Sequence, residues 1–155
     1  MFEEKKGPDM RFSMRISLLG FIAAACLWAV PATPSPAAPK KEVIIPAAQL
    51  HFEEAVPGVS KATLWGDPAK GSYGAITRFA KGTKVALHTH AHDIKIVVIS
   101  GTLVYGTPSG GEKRLGPGSF LHERAGIQHT TAAADDSDLM FLEESTGPFD
   151  LKMVK

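Results

Sequence analysis

The chain has 155 residues, which is enough for one domain with a buried core. Its 17 basic and 16 acidic side chains leave a formal net charge of +1, and they are scattered along the chain, so nothing in them favours nucleic acid or an acidic membrane surface as a partner. The single cysteine, Cys26, excludes a disulfide framework and a cysteine-based zinc site.

The first 32 residues have the pattern of a secretory signal peptide. Two arginines precede an uncharged apolar stretch, residues 16–30, and small residues follow it. This stretch is too short for a comfortable transmembrane helix. We therefore predict an exported protein, periplasmic or secreted, whose mature form is not in the membrane. Cleavage is expected near Ala29 or Ala32, with Ala38 as a further option. An uncleaved anchor and a lipoprotein are the alternatives, the latter lacking the branched residue expected three positions before Cys26.

After the signal peptide, a Pro/Ala-rich linker is predicted at residues 33–42 and a single domain at residues 43–155. The domain contains many short strand-like runs, separated by Gly- and Pro-containing turns, and no convincing amphipathic helix. This pattern is typical of an all-β sandwich or barrel. The predicted strands are residues 43–45, 61–65, 72–79, 94–99, 102–107, 112–115, 119–123, 129–133, 139–145 and 149–154.

Three histidines stand at alternate positions in the middle of the domain: His88, His90 and His92. Alternate side chains of a strand point to the same face, so these imidazoles would lie side by side. Neighbouring imidazoles are the ligands that a transition metal needs from a β-sheet. A second histidine element follows, in which Gly116-Pro117-Gly118 leads through a polar segment to His129.

The two histidine elements together resemble the cupin superfamily. Its first motif is G-x5-H-x-H-x3-4-E-x6-G and its second is G-x5-P-x-G-x2-H-x3-N. The first is matched here by Gly82, His88, His90 and Gly101, and the second by Gly118, Gly126 and His129. A looser likeness to small single-domain bacterial cupins lies in Leu64-Trp65-Gly66-Asp67 and Gly147-Pro148-Phe149.

The resemblance implies a jelly-roll fold, also called a double-stranded β-helix barrel. It also implies a metal site made of His88, His90 and His129. Imidazole ligands accept Zn, Fe, Ni, Cu or Mn without choosing among them. His92 is a further option as a fourth ligand, and His122, Arg124 and Gln128 are predicted to line the pocket or to support the ligands.

This sequence departs from the first motif at its glutamate. That position falls on Ile94, or on Lys95 with the longer spacing, while the second motif's proline and asparagine fall on Arg124 and Ala133. A divalent ion without the carboxylate keeps its full charge, so the site would favour anionic substrates and would hold the ion less tightly.

We therefore predict an exported, metal-binding cupin with a site for a small organic molecule. It would be a three-histidine enzyme, dioxygenase-like or isomerase-like, whose substrate is an anion if the charge argument holds. The alternative is a metal-free barrel that binds a small ligand without catalysis, which the apolar Ile94 favours. A homodimer is a further expectation, and the catalytic residues are left open.

Overall fold

The computed structural model describes residues 41–155, so the predicted signal peptide and most of the predicted linker lie outside the described residues. Regular structure in this part consists of eleven strands and a single-turn 3-10 helix, Ala47–Gln49. Within residues 41–155, no helix is long and apolar enough to cross a bilayer.

The strands form two antiparallel sheets, as the predicted all-β class requires. The six-stranded sheet has the order β1-β2-β3-β10-β5-β8 and the five-stranded sheet has the order β11-β4-β9-β6-β7. In chain order the strands are β1 Glu53–Val56, β2 Val59–Gly66, β3 Tyr73–Phe79, β4 Lys84–Thr89, β5 Ile94–Ser100, β6 Leu103–Thr107, β7 Gly111–Leu115, β8 Phe120–Glu123, β9 His129–Ala133, β10 Leu139–Ser145 and β11 Lys152–Met153.

The apolar core follows the period-two alternation of the strands. On β5, Ile94, Ile96 and Val98 are buried while the residues between them are exposed. On β10, Leu139 and Phe141 are buried in the same way. The core cluster joins these side chains to residues of β2, β3, β6 and β9. Along β5 and β10, the six-stranded sheet therefore turns its apolar face inward and its more exposed face outward.

Four glycines of the two histidine motifs sit at turns that need an unusual backbone. Gly82, Gly101, Gly118 and Gly126 have φ of 72°, 75°, 82° and 78°, which lies in the left-handed region that favours glycine. Gly101 has a further reason to be glycine, because an added Cβ would lie 2.2 Å from the carbonyl oxygen of Asp138. The motif glycines are therefore explained by backbone geometry.

Two predicted strands differ from the observed structure. Residues 43–45 form no strand, and Val43 and Ile44 are exposed, because Pro46 directly precedes the 3-10 turn and no neighbouring strand pairs with them among the described residues. The predicted last strand, residues 149–154, is reduced to β11, which pairs with β4 at Lys152 and Met153. The segment before β11 instead runs past the histidines.

Candidate metal centre

Strands of the five-stranded sheet bring three histidines together. His88 on β4 and His129 on β9 are direct cross-strand partners, and His90 follows immediately after β4. One ring nitrogen of each lies within 4.8 Å of those of the other two. His88 is 2% exposed, His90 9% and His129 1%, so the cluster is almost removed from water. This arrangement assembles the set that the two sequence motifs predicted.

Backbone carbonyls fix the orientation of all three rings. The Nδ1 atoms contact Ala86 O at 2.7 Å (His88), Asp150 O at 2.5 Å (His90) and Ile127 O at 3.0 Å (His129). A carbonyl oxygen only accepts hydrogen bonds, so each Nδ1 must carry the proton and donate it. Each Nε2 is then left with a free lone pair, which is the arrangement found in metal-binding histidines.

Burial keeps the three imidazoles neutral. It is the main cause that lowers the pKa of His88 and of His90 below the ordinary value, and it lowers the pKa of His129 to about 4. The nearby imidazoles of the cluster add a smaller lowering at His88 and His129. A neutral imidazole is the form that binds a metal, so the cluster is in its ligand state at neutral pH.

The cluster borders a cavity of about 50 Å³ between the two sheets. His88 and His90 line it from the five-stranded sheet, and the ring of His129 packs against both, with centroids 4.2 and 5.4 Å away. The buried Nε2 of His129 has no hydrogen-bond partner within the described residues. Buried polar atoms in proteins almost always have a partner, so this orphaned lone pair is a point where a ligand atom or ion fits. The residues therefore fit a divalent transition metal.

Charged groups line the same cavity from the six-stranded sheet. Lys61 on β2 forms a buried ion pair with Glu143 on β10, and the two side chains are 15% and 4% exposed. Tyr73 on β3 donates a second hydrogen bond to the same carboxylate oxygen, at 2.8 Å. The Lys61 ammonium also lies 4.3 Å from the centre of the Phe149 ring. The Glu143 carboxylate is therefore neutralised by Lys61 and hydrogen-bonded by the Tyr73 hydroxyl.

A carboxylate that the sequence analysis did not single out also faces the cluster. Glu123, the last residue of β8, is 4% exposed, and its Oε1 lies 3.4 Å from Nε2 of His129. Burial, with a smaller contribution from the negative Glu143, raises the pKa of Glu123 to about 8. The cavity therefore contains an acid although Ile94 occupies the position of the motif glutamate.

The sequence does carry a signal for these acids. In residues 119–123, alternation with the inward Leu121 places Glu123 on the inner face and the histidine between them on the outer one. Likewise Leu139, Phe141 and Glu143 share the inner face of β10. Both acids lie in line with apolar core residues, which is the pattern of a buried carboxylate.

His92 is not brought to the cluster. Strand β4 ends at Thr89 and a bend follows, so the alternation that would align His92 with the other histidines stops there. The ring packs instead over Gly147, where an added Cβ would lie 2.4 Å from it. No ligand atom of His92 belongs to the mutually close group found among the described residues.

The residues predicted to line the pocket beside the histidines lie outside it. His122 and Glu123 are neighbours on β8, so their side chains lie on opposite faces of the strand. The Nε2 atom of His122 is 3.0 Å from a carboxylate oxygen of Asp93. Arg124, which is 68% exposed, pairs with the same carboxylate at 3.3 Å, and Gln128 is exposed. None of the three is among the described residues that line the cavity. His122 and Arg124 therefore fasten the β8–β9 loop to Asp93.

A comparison with protein families places the chain. The model of a family described as a domain of unknown function (DUF4437) matches residues 41–154. The chain belongs to this family. The beta-alanine degradation protein BauB of Pseudomonas aeruginosa is 34% identical over 68 residues, which cover 43% of this chain and 72% of BauB.

Solved structures agree on the fold. The polyketide cyclase RemF of Streptomyces resistomycificus has a TM-score of 0.64 and 18% identity, covering 74% of this chain and 87% of RemF. An RmlC-like cupin of Shewanella frigidimarina has a TM-score of 0.57 and 17% identity, covering 70% of this chain and 93% of the cupin. The predicted cupin resemblance and jelly-roll fold are thereby confirmed, while identities this low carry the fold and not the reaction.

Proposed function

We propose that this protein is a metal-dependent enzyme that acts on a small organic anion at the His88–His90–His129 cluster. The observation that supports it best is the fixed tautomer of all three rings: each donates its Nδ1–H to a backbone carbonyl and turns its Nε2 lone pair to the cluster. Three neutral ligands leave coordination positions open, as in catalytic rather than structural sites.

Zn, Fe, Ni, Cu and Mn all accept this ligand set. When bound, such an ion supplies Lewis-acid polarisation of a substrate oxygen. The reaction is proposed to be either an oxygen-dependent cleavage, which needs a redox-active ion, or an isomerisation by proton transfer. Both reactions use open positions at one metal centre, so the identity of the bound ion is the first discriminator between them.

The wall opposite the histidines supports an anionic or oxygen-rich substrate. Lys61 uses one of its three ammonium donors on Glu143 among the described residues, and the others remain for a substrate oxygen. Thr77, fully buried on the same wall, has a hydroxyl without a partner in the described part of the chain. The cavity volume of about 50 Å³ is well below the roughly 300–1,000 Å³ of drug-sized ligand sites, so the substrate would have only a few non-hydrogen atoms. The cyclase RemF and the degradation protein BauB are named for small-molecule chemistry, which is compatible with this proposal.

Metal analysis tests the proposal. The protein purified without chelator is expected to carry, or to take up on titration, about one equivalent of a divalent transition metal per chain. His88→Ala should abolish uptake, whereas the control His51→Ala, at an exposed position, should not. Less than about a tenth of an equivalent, with no uptake on titration, would refute the proposal.

A metal-free barrel that binds a small organic ligand is the second proposal. Ile94, buried on the cavity wall at the place of the motif glutamate, makes the site more apolar and supports it. A thermal-shift screen separates the two, because a ligand of the folded state raises the melting temperature. Small organic acids that stabilise the protein in the presence of a chelator would favour the metal-free barrel.

We also propose that the protein is exported, on the basis of the basic and apolar segments of its first 32 residues. Mass spectrometry of the protein recovered from cell fractions tests this. A mature chain that starts near residue 30 or 33 in the periplasm or medium is expected, and a full-length chain confined to the cytoplasm would contradict it. The homodimer stays a prediction.

A further inference from the structure

We propose that Glu123 is the carboxylate ligand of the metal centre and takes the role that Ile94 cannot fill. This inference rests on the proposed metal site and adds one residue to it. It starts from a contact between two acceptors: Oε1 of Glu123 lies 3.4 Å from Nε2 of His129, and both atoms are buried.

The tautomer of His129 makes this contact unusual. Its Nδ1 donates to Ile127 O, so its Nε2 has a lone pair and no hydrogen to give to Glu123. Two buried acceptors that face each other need a proton or a cation between them. Two ligand atoms about 2.1 Å from a shared ion, at a tetrahedral angle, are about 3.4 Å apart. The observed separation is that of two ligands of one ion, and equally that of two atoms sharing a proton. Glu123 lies outside the mutually close group formed by the three histidines, so its carboxylate must turn toward His88 and His90 to complete the site.

The sheet register explains how Glu123 reaches the site. Ile94 on β5 and Glu123 on β8 are cross-strand partners in the six-stranded sheet, so their side chains lie next to each other on the inner face. Both line the cavity. The carboxylate that the first cupin motif would supply from β5 is thus supplied from the neighbouring strand.

The second buried acid of the cavity behaves differently. Glu143 is held by Lys61 and Tyr73, which satisfy its charge within the protein. Glu123 forms no ion pair with a lysine or arginine among the described residues. Its ion-pair partner there is His129, while Glu143 and Lys61 are near enough to act on its charge. A buried carboxylate of this kind must be neutralised by a proton or by a cation supplied from outside. With Glu123 bound, the centre would keep one net positive charge, which is still attractive to an anionic substrate.

The experiment compares Zn²⁺ affinity and the Co²⁺ spectrum of three proteins: wild type, Glu123→Gln, and Glu143→Gln as the matched control that removes the same charge from the same cavity. Glu123→Gln should bind Zn²⁺ at least about tenfold more weakly. It should also change the visible absorption spectrum of the Co²⁺-loaded protein. Glu143→Gln should leave that spectrum unchanged. Should Glu123→Gln not fold, Glu123→Asp replaces it, because the shorter side chain withdraws the carboxylate from His129.

An exchange variant sharpens the test. Glu123→Gln combined with Ile94→Glu moves the carboxylate across the strand pair, and it should regain most of the lost Zn²⁺ affinity. If wild type binds Zn²⁺ and Glu123→Gln binds it equally well with an unchanged Co²⁺ spectrum, the role of Glu123 is refuted while the proposed metal site stands. If wild type takes up no metal at all, both are refuted.

Discussion

Apart from the Thr77 hydroxyl and the Glu123 carboxyl group, the buried polar groups on the two walls of the cavity are satisfied in opposite ways. On the six-stranded sheet, Lys61, Glu143 and Tyr73 satisfy one another's charges and hydrogen bonds. At the histidine cluster, three Nε2 lone pairs converge, and that of His129 has no partner within the described residues. A group that is satisfied internally is explained by the fold alone. A group that is buried and left unsatisfied is costly unless a ligand completes it, so it is the second wall that indicates function.

The largest expected effect concerns the satisfied wall. Lys61→Met should lower the free energy of unfolding by about 3–5 kcal/mol, because it leaves Glu143 buried without its cation. Urea denaturation of the metal-free protein measures this. The double variant Lys61→Met/Glu143→Leu should recover most of the loss, since an apolar pair of similar size leaves no buried charge. Equal stability of the single variant and wild type would mean that water reaches Glu143.

The next effect concerns the unsatisfied wall. His129→Ala should weaken Zn²⁺ binding by at least about 100-fold, or about 2.8 kcal/mol, because losing even an outer partner of a ligand costs 10–100-fold. Its stability without metal should fall far less than that of Lys61→Met. Competition with a chromophoric chelator gives the affinity. The contrast fails if Lys61→Met weakens Zn²⁺ binding as strongly as His129→Ala does.

A smaller effect is expected from pH. The pKa of Glu123 is about 8 in the folded protein against an ordinary value of 4.5, so between these values the folded state holds more protons than the unfolded state. Stability of the metal-free protein should therefore fall as pH rises, by up to about 1.4 kcal/mol per unit. The histidines act in the opposite direction below about pH 6.5, because their pKa values are lowered in the folded state. The fall should thus be visible from pH 7 to 8.

Urea denaturation in the presence of a chelator checks this at the two pH values. Glu123→Gln should remove the fall, because it replaces the titrating group by a neutral one of the same shape. The groups that face Glu123, namely His129, Glu143 and Lys61, stay in place in this variant. A wild-type stability that is flat between pH 7 and 8 would contradict the raised pKa.

The smallest effects on Zn²⁺ affinity are expected at His92 and Gln128, which the sequence predicted near the metal site and the structure places away from it. His92→Ala and Gln128→Ala should each leave Zn²⁺ affinity within about twofold of wild type, because neither side chain belongs to the cluster or lines the cavity among the described residues. Competition with a chromophoric chelator measures the Zn²⁺ affinities, and His129→Ala measured in parallel shows how large the loss of a true ligand is. A tenfold loss of Zn²⁺ affinity in His92→Ala would instead indicate that His92 is a metal ligand.

The sequence predicted the all-β fold from its short strand-like runs and turns, and the resemblance to the cupin motifs implied that His88, His90 and His129 come together. Left-handed glycines such as Gly101 mark the turns between the strands. It failed at His92, since alternation along β4 gives no sign of the bend after Thr89. Glu123 was missed because the motif directs attention to Ile94, whereas the cross-strand register that joins the two is a property of the folded sheet. Long-range pairing, not composition, decided these residues.

The hydrogen bond from His90 to the carbonyl of Asp150 joins residues 60 positions apart, and the Asp150 carboxylate also accepts from the backbone N–H of Ala91. A nascent chain that has not yet reached Asp150 therefore lacks the group that orients His90. Contacts between residues this far apart are slow to form, because the entropy of closing the chain between them must be overcome first. Loading of the proposed metal site is thus expected to follow completion of the barrel, because only the folded domain holds all three histidines in their ligand geometry at once.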